Sequence, residues 1–420
     1  MTKERYQNLL EKVNQYNSGE IGITRIAFSN EEQACTHGFI RMCKDQHLEV
    51  RLDASGNLIA RRPGKNPSLP PVVMGSHLDT VYQGGKYDGA VGVTAALEVI
   101  TRLNEKRIET DHPIEIISFA CEESSRFGVS TIGSKAMAGL IEKDKIRHLK
   151  DRNGTSIDKA FSDCALDFES IDQANRTKER FKVFLELHIE QGPVLENKNK
   201  KIGIVTGIAA PIRLLVTING KASHSGTTPM HMRKDALLAA SELALETEAS
   251  AKMEQKEGTV ATVGDLIVHP GAMNVVPGKV EMKIDIRGID VKSRDRVLKR
   301  IEEKISGIKK KRDLNVESKI ISREQPVMLS TDILNELKAE CEAKRLSYEL
   351  LQSGAGHDAM HMTKLGSVGL IFIPSKDGVS HHPDEYTALD DILAGIDVLE
   401  AAVLKQAIVH KEGKSVNEPV

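Results

Sequence analysis

The stretch VVMGSHLDTVYQGGKYDGAVG, residues 72–92, places His77, Asp79 and Asp88 directly behind a short apolar run. A carboxylate two residues after an imidazole can hold the ring through one nitrogen, fixing the tautomer whose other nitrogen offers a lone pair to a metal. The glycines of QGGKYDGAVG permit a tight turn that brings Asp88 back toward the same place. Taken alone, the loop reads equally well as a glycine-rich turn with a surface aspartate and a helix starting at Gly89.

Comparable residues follow three more apolar runs. IEIISFACEESS carries Glu122 and Glu123, FLELHIEQG carries His188, and GLIFIPSKDGVSHHPDE carries His381 and His382. Two adjacent carboxylates are costly to bury unless a cation or a shared proton compensates. Imidazoles and carboxylates without thiolates suit zinc, manganese or cobalt, and this many of them suffice for a two-metal site. A dinuclear metal centre is therefore the chemistry these residues suggest. The competing reading is four unrelated polar strand ends facing solvent.

The elements that must position these residues form an α/β pattern. PPVVMGSHLD, HPIEIISFACEE and KVFLELHIE read as buried strands, and GVTAALEVITRLNEK as a helix with one apolar face. In such sheets ligands collect beyond the carboxyl ends of the strands, where His77 falls. From about residue 212 the texture changes: RLLVTINGKASH, TVATVGDLIVH and GKVEMKIDIRG are strands, and DALLAASELALETEASAK and SRDRVLKRIEEKISGIKK are helices. This suits an inserted two-layer α+β domain. After about residue 330 the first texture returns, with STDILNELKAECEAKR and DDILAGIDVLEAAVLKQAIVH as helices around the strand VGLIFIP. The expected layout is a catalytic domain over residues 1–211 and 330–420, built on a mixed sheet flanked by helices, interrupted by a second domain over 212–329. The basic run KKKRD at 309–313 reads as a solvated helix end.

Composition narrows the function. The 58 basic and 60 acidic residues give a formal net charge of -2, so no positive field draws nucleic acid or an anionic membrane, and a small molecule is the expected partner. Cys35, Cys43, Cys121, Cys164 and Cys341 are odd in number and scattered, against a disulfide framework or a thiolate zinc site, which suits a reducing cytoplasm. No run of eighteen apolar residues and no export signal is expected from this sequence.

Taken in order, HLDT with GGKYDG, CEESSRFG, LELHIEQG, GKASHSGTTPM, NVVPGK, SGAGHDAM and DGVSHHPDE resemble the successive motifs of the hydantoinase/carbamoylase amidases, within the dinuclear aminoacylase and carboxypeptidase superfamily. The resemblance runs from about residue 20 to about residue 405. It implies two divalent ions per subunit, zinc or manganese, with cobalt or nickel as alternatives. His77 and His188 would hold one ion, Glu123 and His381 the other, and Asp88 both. Asp79 would orient His77, and Glu122 would be the general base. His381 is preferred to His382 because the family pattern reads S-H-x-P, which sets the ligand directly after Ser380.

The resemblance also implies that the inserted domain is a lid that forms a homodimer, with His224 donating to the substrate's carbonyl oxygen in the partner's site. Asn274 and Arg287 match positions that bind a substrate carboxylate, a task suited to a planar guanidinium. Gln191 and Gly356 would complete the pocket, and His357 and Asp358 would support the loop beside Gly356 or cap a helix. Glycines around residues 203–210 and at Gly354–Gly356 are candidate hinge neighbours.

Two positions depart from the family pattern: Cys121 stands where an acidic residue is usual, removing a charge, and Ser124 where glycine is usual, adding a side chain to a tight turn. His382 adds a titratable group. The expected activity is hydrolysis of an N-carbamoyl-L-amino acid, with allantoate hydrolysis as the alternative. A dipeptidase or N-acyl amino acid deacylase is disfavoured, because the superfamily's peptidases usually carry an acidic residue where His188 stands. A binding module without catalysis should lack a ligand or the base, and none is missing.

Overall fold

The computed structural model describes residues 2–409. The chain divides into two compact units: the first contains residues through Thr206, Leu329–Leu351 and the chain from His357, and the second contains Gly207–Met328 and Gln352–Gly356. The second unit thus starts earlier than the residue-212 texture change, because its first long strand, Ala210–Asn219, begins before the apolar alternation is evident. Gln352–Gly356 was not expected there. It belongs with the second unit because Gln352 donates to the carbonyl of Glu257 and the Gly354 carbonyl accepts from Arg287.

The first unit is built on a mixed sheet whose order runs Glu49–Leu52, Leu58–Arg62, Ile114–Phe119, Val72–His77, Val183–Ile189, Ser367–Ile373 and then Ile202–Ile208. Its centre is parallel: Val72–His77 pairs in parallel with both Ile114–Phe119 and Val183–Ile189, and Ser367–Ile373 in parallel with Val183–Ile189. Parallel strands covered on both faces read as continuous apolar runs rather than alternating ones, and every residue of Val72–His77, Ile114–Phe119 and Val183–Ile189 is buried. The helices Ala90–Glu105 and Leu389–Ala407 pack on these strands, and all residues from Ala90 to Ile100 are buried, as expected of a helix enclosed by protein on every side. Parallel alignment has one consequence for function: the carboxyl ends of four strands lie along one edge of the sheet.

The second unit is an antiparallel sheet in the order Asn315–Arg323, Ala210–Asn219, Lys279–Gly288, Val260–His269. Alternation is strict here. Ile212, Leu214, Val216 and Ile218 on one strand and Val280, Met282, Ile284 and Ile286 on its neighbour are buried with apolar residues of the helices Ala236–Lys252 and Val291–Arg312, while the intervening residues face the other way. The expected strand RLLVTINGKASH is broken after Asn219, where a Cβ on Gly220 would lie 2.1 Å from the Lys234 carbonyl oxygen, and Ser223–His224 forms a separate two-residue ladder with Val275–Val276. The basic run closes Val291–Arg312, with Lys311 and Arg312 bonded to Glu242. No helix among the described residues is long and apolar enough to cross a membrane, and the five cysteines are free.

Candidate metal centre

The parallel strand ends deliver the groups. His77 is the last residue of Val72–His77, His188 the sixth of Val183–Ile189, and Glu122 and Glu123 follow Ile114–Phe119 by three and four residues. His381 lies in the loop after Ser367–Ile373. Asp88 arrives from the turn before the helix Ala90–Glu105. That turn needs glycine: Gly89 has φ +65°, and a Cβ there would come within 2.4–2.5 Å of three His77 ring atoms.

Asp88 is the centre of the arrangement. Its Oδ1 lies 3.4 Å from His77 Nε2 and 3.1 Å from His188 Nε2, and its Oδ2 lies 3.2 Å from His381 Nε2, which is in turn 3.1 Å from Glu123 Oε1. Within the set His77, Asp88 and His188, and within the set Asp88, Glu123 and His381, donor atoms lie within 4.8 Å of one another. The tautomers agree with this use. Nδ1–H of His77 donates to the Asp79 carbonyl and Nδ1–H of His188 to the Ile189 carbonyl, each at 2.9 Å, so Nε2 of each ring is the atom that faces Asp88.

Charge balance supports a cationic occupant. Asp79, Asp88, Glu122, Glu123, Glu186 and Asp358 are all buried, and among the described residues none pairs with a lysine or arginine; the ion pairs they make are to histidine. Burial and the neighbouring Glu123 and Asp358 push Glu122 well above the usual carboxylate range, against the pull of His77. Burial and Glu186 push Asp358 up to about 8. Asp88 is held well below its ordinary range, because His188, His381 and His77 outweigh the effect of burial. His381 is raised to about 11 by its hydrogen bonds to Asp88 and Glu123. Imidazole and carboxylate donors without thiolate fit two hard-to-borderline divalent ions sharing Asp88.

Asp79 meets the His77 ring through a different group from the one expected. Its carboxylate is 3.6 Å from His77 Nδ1, too far for a hydrogen bond, and its backbone carbonyl holds the ring instead. The two carboxylate oxygens accept the backbone N–H groups of Glu122 and Glu123, at 3.1 and 3.0 Å, so Asp79 fixes the glutamate turn. The side chain that Ser124 adds to this turn is exposed, and the left-handed backbone is at Cys121, with φ +52°. Bonds from the Ala120 N–H to Asn57 Oδ1, and from the Thr131 and Ile132 N–H groups to the carbonyls of Glu122 and Cys121, hold it there. Gln191 and His381 also have left-handed backbone, φ +57° and +56°. Such conformations persist only where surrounding bonds over-determine them.

Gln191 donates through Nε2 to Asp88 Oδ2 at 2.7 Å, and its buried Oε1 has no hydrogen-bond partner among the described residues. His382 is exposed, accepts the Asp384 N–H and belongs to neither donor set. Asp358 makes no side-chain cap; it accepts the Ser134 hydroxyl, and the His357 ring meets that of His188 edge-on at 4.6 Å between centroids.

His224, Asn274, Arg287 and Gly356 lie on the second unit. His224 Nδ1 accepts from the N–H groups of Gly226 and Thr227 at 3.1 and 3.3 Å, which leaves the proton of the neutral ring on Nε2 and makes that atom a donor. Arg287 is paired with Asp285 through Nε and Nη2 and with the Gly354 carbonyl through Nη1.

Sequence reasoning missed several supporting residues. Arg25 is fully buried; its guanidinium donates to the carbonyls of Leu78, Val13 and Tyr16, and its backbone exchanges bonds with Thr80, which fixes the His77–Thr80 turn from outside. Glu186, between Ser76 and the Ala359 N–H, and Glu385, beneath Asp88, were also missed. An acid two residues before His188 and another four after His381 were the only signals available.

A family model described as peptidase family M20/M25/M40 matches residues 73–405. The chain belongs to this family. Among M20 relatives, it is 39% identical over 406 residues to an N-carbamoyl-L-amino acid amidohydrolase of Geobacillus stearothermophilus, covering 96% of this chain and 98% of the relative. It is 34% identical over 378 residues to the allantoate amidohydrolase of Escherichia coli K12, covering 90% and 91%. The crystal structure of a hydantoinase/carbamoylase family amidase from Burkholderia multivorans superposes with a TM-score of 0.89 at 31% identity, covering 96% of this chain and 98% of that one. The M20 chain is thus a member of the hydantoinase/carbamoylase amidases and a hydrolase of carbon–nitrogen bonds other than peptide bonds. Hydrolases of this family use divalent metals.

Proposed function

We propose that the protein hydrolyses the ureido group of a small carboxylate-bearing substrate, most closely an N-carbamoyl-L-amino acid. The observation that carries this reading is the pair of donor sets sharing Asp88, with the Glu122 carboxylate 3.8 Å from the ligand ring of His77 and outside both sets. Divalent ions held there would supply Lewis-acid chemistry, easing the ionisation of water and polarising a carbonyl. His77, His188 and Asp88 would hold one ion, and Glu123, His381 and Asp88 the other.

Glu122 takes a proton from the water that attacks the carbamoyl carbon and returns it to the departing nitrogen as the C–N bond breaks. The carbamate released loses carbon dioxide, so the products are ammonia, carbon dioxide and the amino acid. Asp79 keeps Glu122 in place through the backbone. His224 donates from Nε2 to the carbonyl oxygen as it gains negative charge, and Arg287 and Asn274 hold the substrate's carboxylate, with Gln191 and Gly356 completing the pocket. His224 serves the partner's site in a homodimer, and the five free cysteines suit a cytoplasmic enzyme.

The likeness to an allantoate amidohydrolase supports allantoate as the second reading. Ammonia release from the metal-loaded protein separates the two, measured with N-carbamoyl-L-methionine, N-carbamoyl-β-alanine, allantoate, a dipeptide and an N-acetyl amino acid, with and without chelator. Chelator-sensitive ammonia from one ureido acid is expected. Cleavage of the dipeptide or acetyl compound without ammonia would reject the ureido chemistry.

A further inference from the structure

The two donor sets are held very differently. His77 and His188 are buried, stand on strands, and have Nδ1 tied to backbone carbonyls. His381 stands on a loop with 48% of its side chain exposed, and its contacts run through Nε2 to Asp88, Glu123 and Gln191. Its position therefore depends on how its loop is anchored.

Glu385 is the anchor that also reaches Asp88, beside the bonds of Gln191 to Ser375 and Ser380 and of the Asp377 N–H to Glu196. The Glu385 carboxylate is 4% exposed, and among the described residues it pairs with no lysine or arginine. Its Oε1 accepts the N–H groups of Tyr87 and Asp88 at 2.9 and 3.1 Å. Its Oε2 lies 3.0 Å from the Ser380 hydroxyl, which lies 3.0 Å from Asp88 Oδ2. The Gly85 backbone fits closely over it, since a Cβ there would be 2.1 Å from Oε1. Asp88 has further support from Gln191 and from the Val91 N–H to Tyr87 carbonyl bond that opens the next helix, whereas the His381 loop meets Asp88 through Ser380 and the ring itself.

We infer that Glu385 is a positioning residue that joins the His381 loop to the Asp88 loop, so that it governs metal affinity at the Asp88–Glu123–His381 set while leaving the His77–Asp88–His188 set nearly intact. The inference rests on the two-metal reading above. Partners behind metal ligands commonly set affinity by 10- to 100-fold.

The test uses the full chain stripped with chelator and titrated with manganese or zinc, with bound ions counted after dialysis and affinities taken from calorimetry. Wild type should take up two ions. Glu385→Ala should keep one at wild-type affinity and bind the second about 10- to 100-fold more weakly. Glu385→Gln should restore the second ion, because its amide oxygen can accept both N–H groups and its NH2 can donate to Ser380. Gly85→Ala, which displaces Glu385 without altering it, and Ser380→Ala should also weaken only the second ion. They decide the matter if circular dichroism shows that Glu385→Ala does not fold. Two ions at wild-type affinity in the folded variants, or equal weakening of both ions, would overturn the linkage. Fewer than two ions in wild type would instead overturn the dinuclear reading beneath it.

Discussion

Replacing Gly89 by alanine is the sharpest structural perturbation of the centre. The residue has φ +65° and ψ −49°, a sparsely populated conformation that costs an L-residue with a side chain roughly 1–3 kcal/mol. The added methyl would sit 2.4 Å from His77 Cε1 and 2.5 Å from each ring nitrogen, more than 1 Å inside ordinary contact distance of about 3.5–4.0 Å. Overpacking of this kind typically costs about 1–3 kcal/mol, so the two effects together predict a loss of about 2–6 kcal/mol in the metal-free protein. That is a large share of the roughly 5–15 kcal/mol by which folded proteins are ordinarily stable. If the ring yields, His77 Nε2 leaves its place 3.4 Å from Asp88, and the His77–Asp88–His188 set should lose its ion while the second set is less affected. Urea unfolding with chelator present gives the first quantity, and ion counting gives the second. Gly264→Ala, at a strand position where an added Cβ meets nothing within 4 Å, is the control and should be near neutral. A Gly89→Ala protein within about 0.5 kcal/mol of wild type, the usual range of surface substitutions, that still binds two ions normally would refute the reasoning.

Two further predictions follow from the same geometry. Glu122→Gln should lower turnover by about 100- to 10,000-fold with both ions retained, because Glu122 moves a proton and belongs to neither donor set; ion counting beside ammonia release checks this, and loss of an ion would place Glu122 among the ligands. His361, bonded to Thr131 and pushed down to about 3 by burial and by Lys135, is protonated more readily in the unfolded chain. Stability should therefore fall as pH drops from about 6.5 toward 3, and His361→Gln should show a shallower fall, by at most about 1.4 kcal/mol per pH unit and less because the residue is only partly buried. Parallel pH profiles of urea midpoints would show it; identical slopes would exclude His361 as a contributor.

The sequence by itself determined the chemistry of the donors and the order of the elements that carry them. Val72–His77, Ile114–Phe119, Val183–Ile189 and Ser367–Ile373 were legible because strands buried on both faces leave continuous apolar runs, and the second unit because alternation of period two marks a sheet with one covered face. His77, Asp88, Glu122, Glu123, His188 and His381 were legible because each follows such a run. Their convergence was implied only by the resemblance, because it depends on parallel pairing between segments as far apart as Val183 and Ser367, and long-range register leaves no local trace in a sequence. Tertiary structure alone decided that the Asp79 carboxylate serves the Glu122–Glu123 backbone while its carbonyl holds the His77 ring. It likewise decided that Cys121, Gln191 and His381 adopt left-handed backbone and that Arg25 and Glu385 brace the ligand loops. These depend on which carbonyl or N–H happens to lie within about 3 Å of a side chain, and residue type does not encode that neighbour.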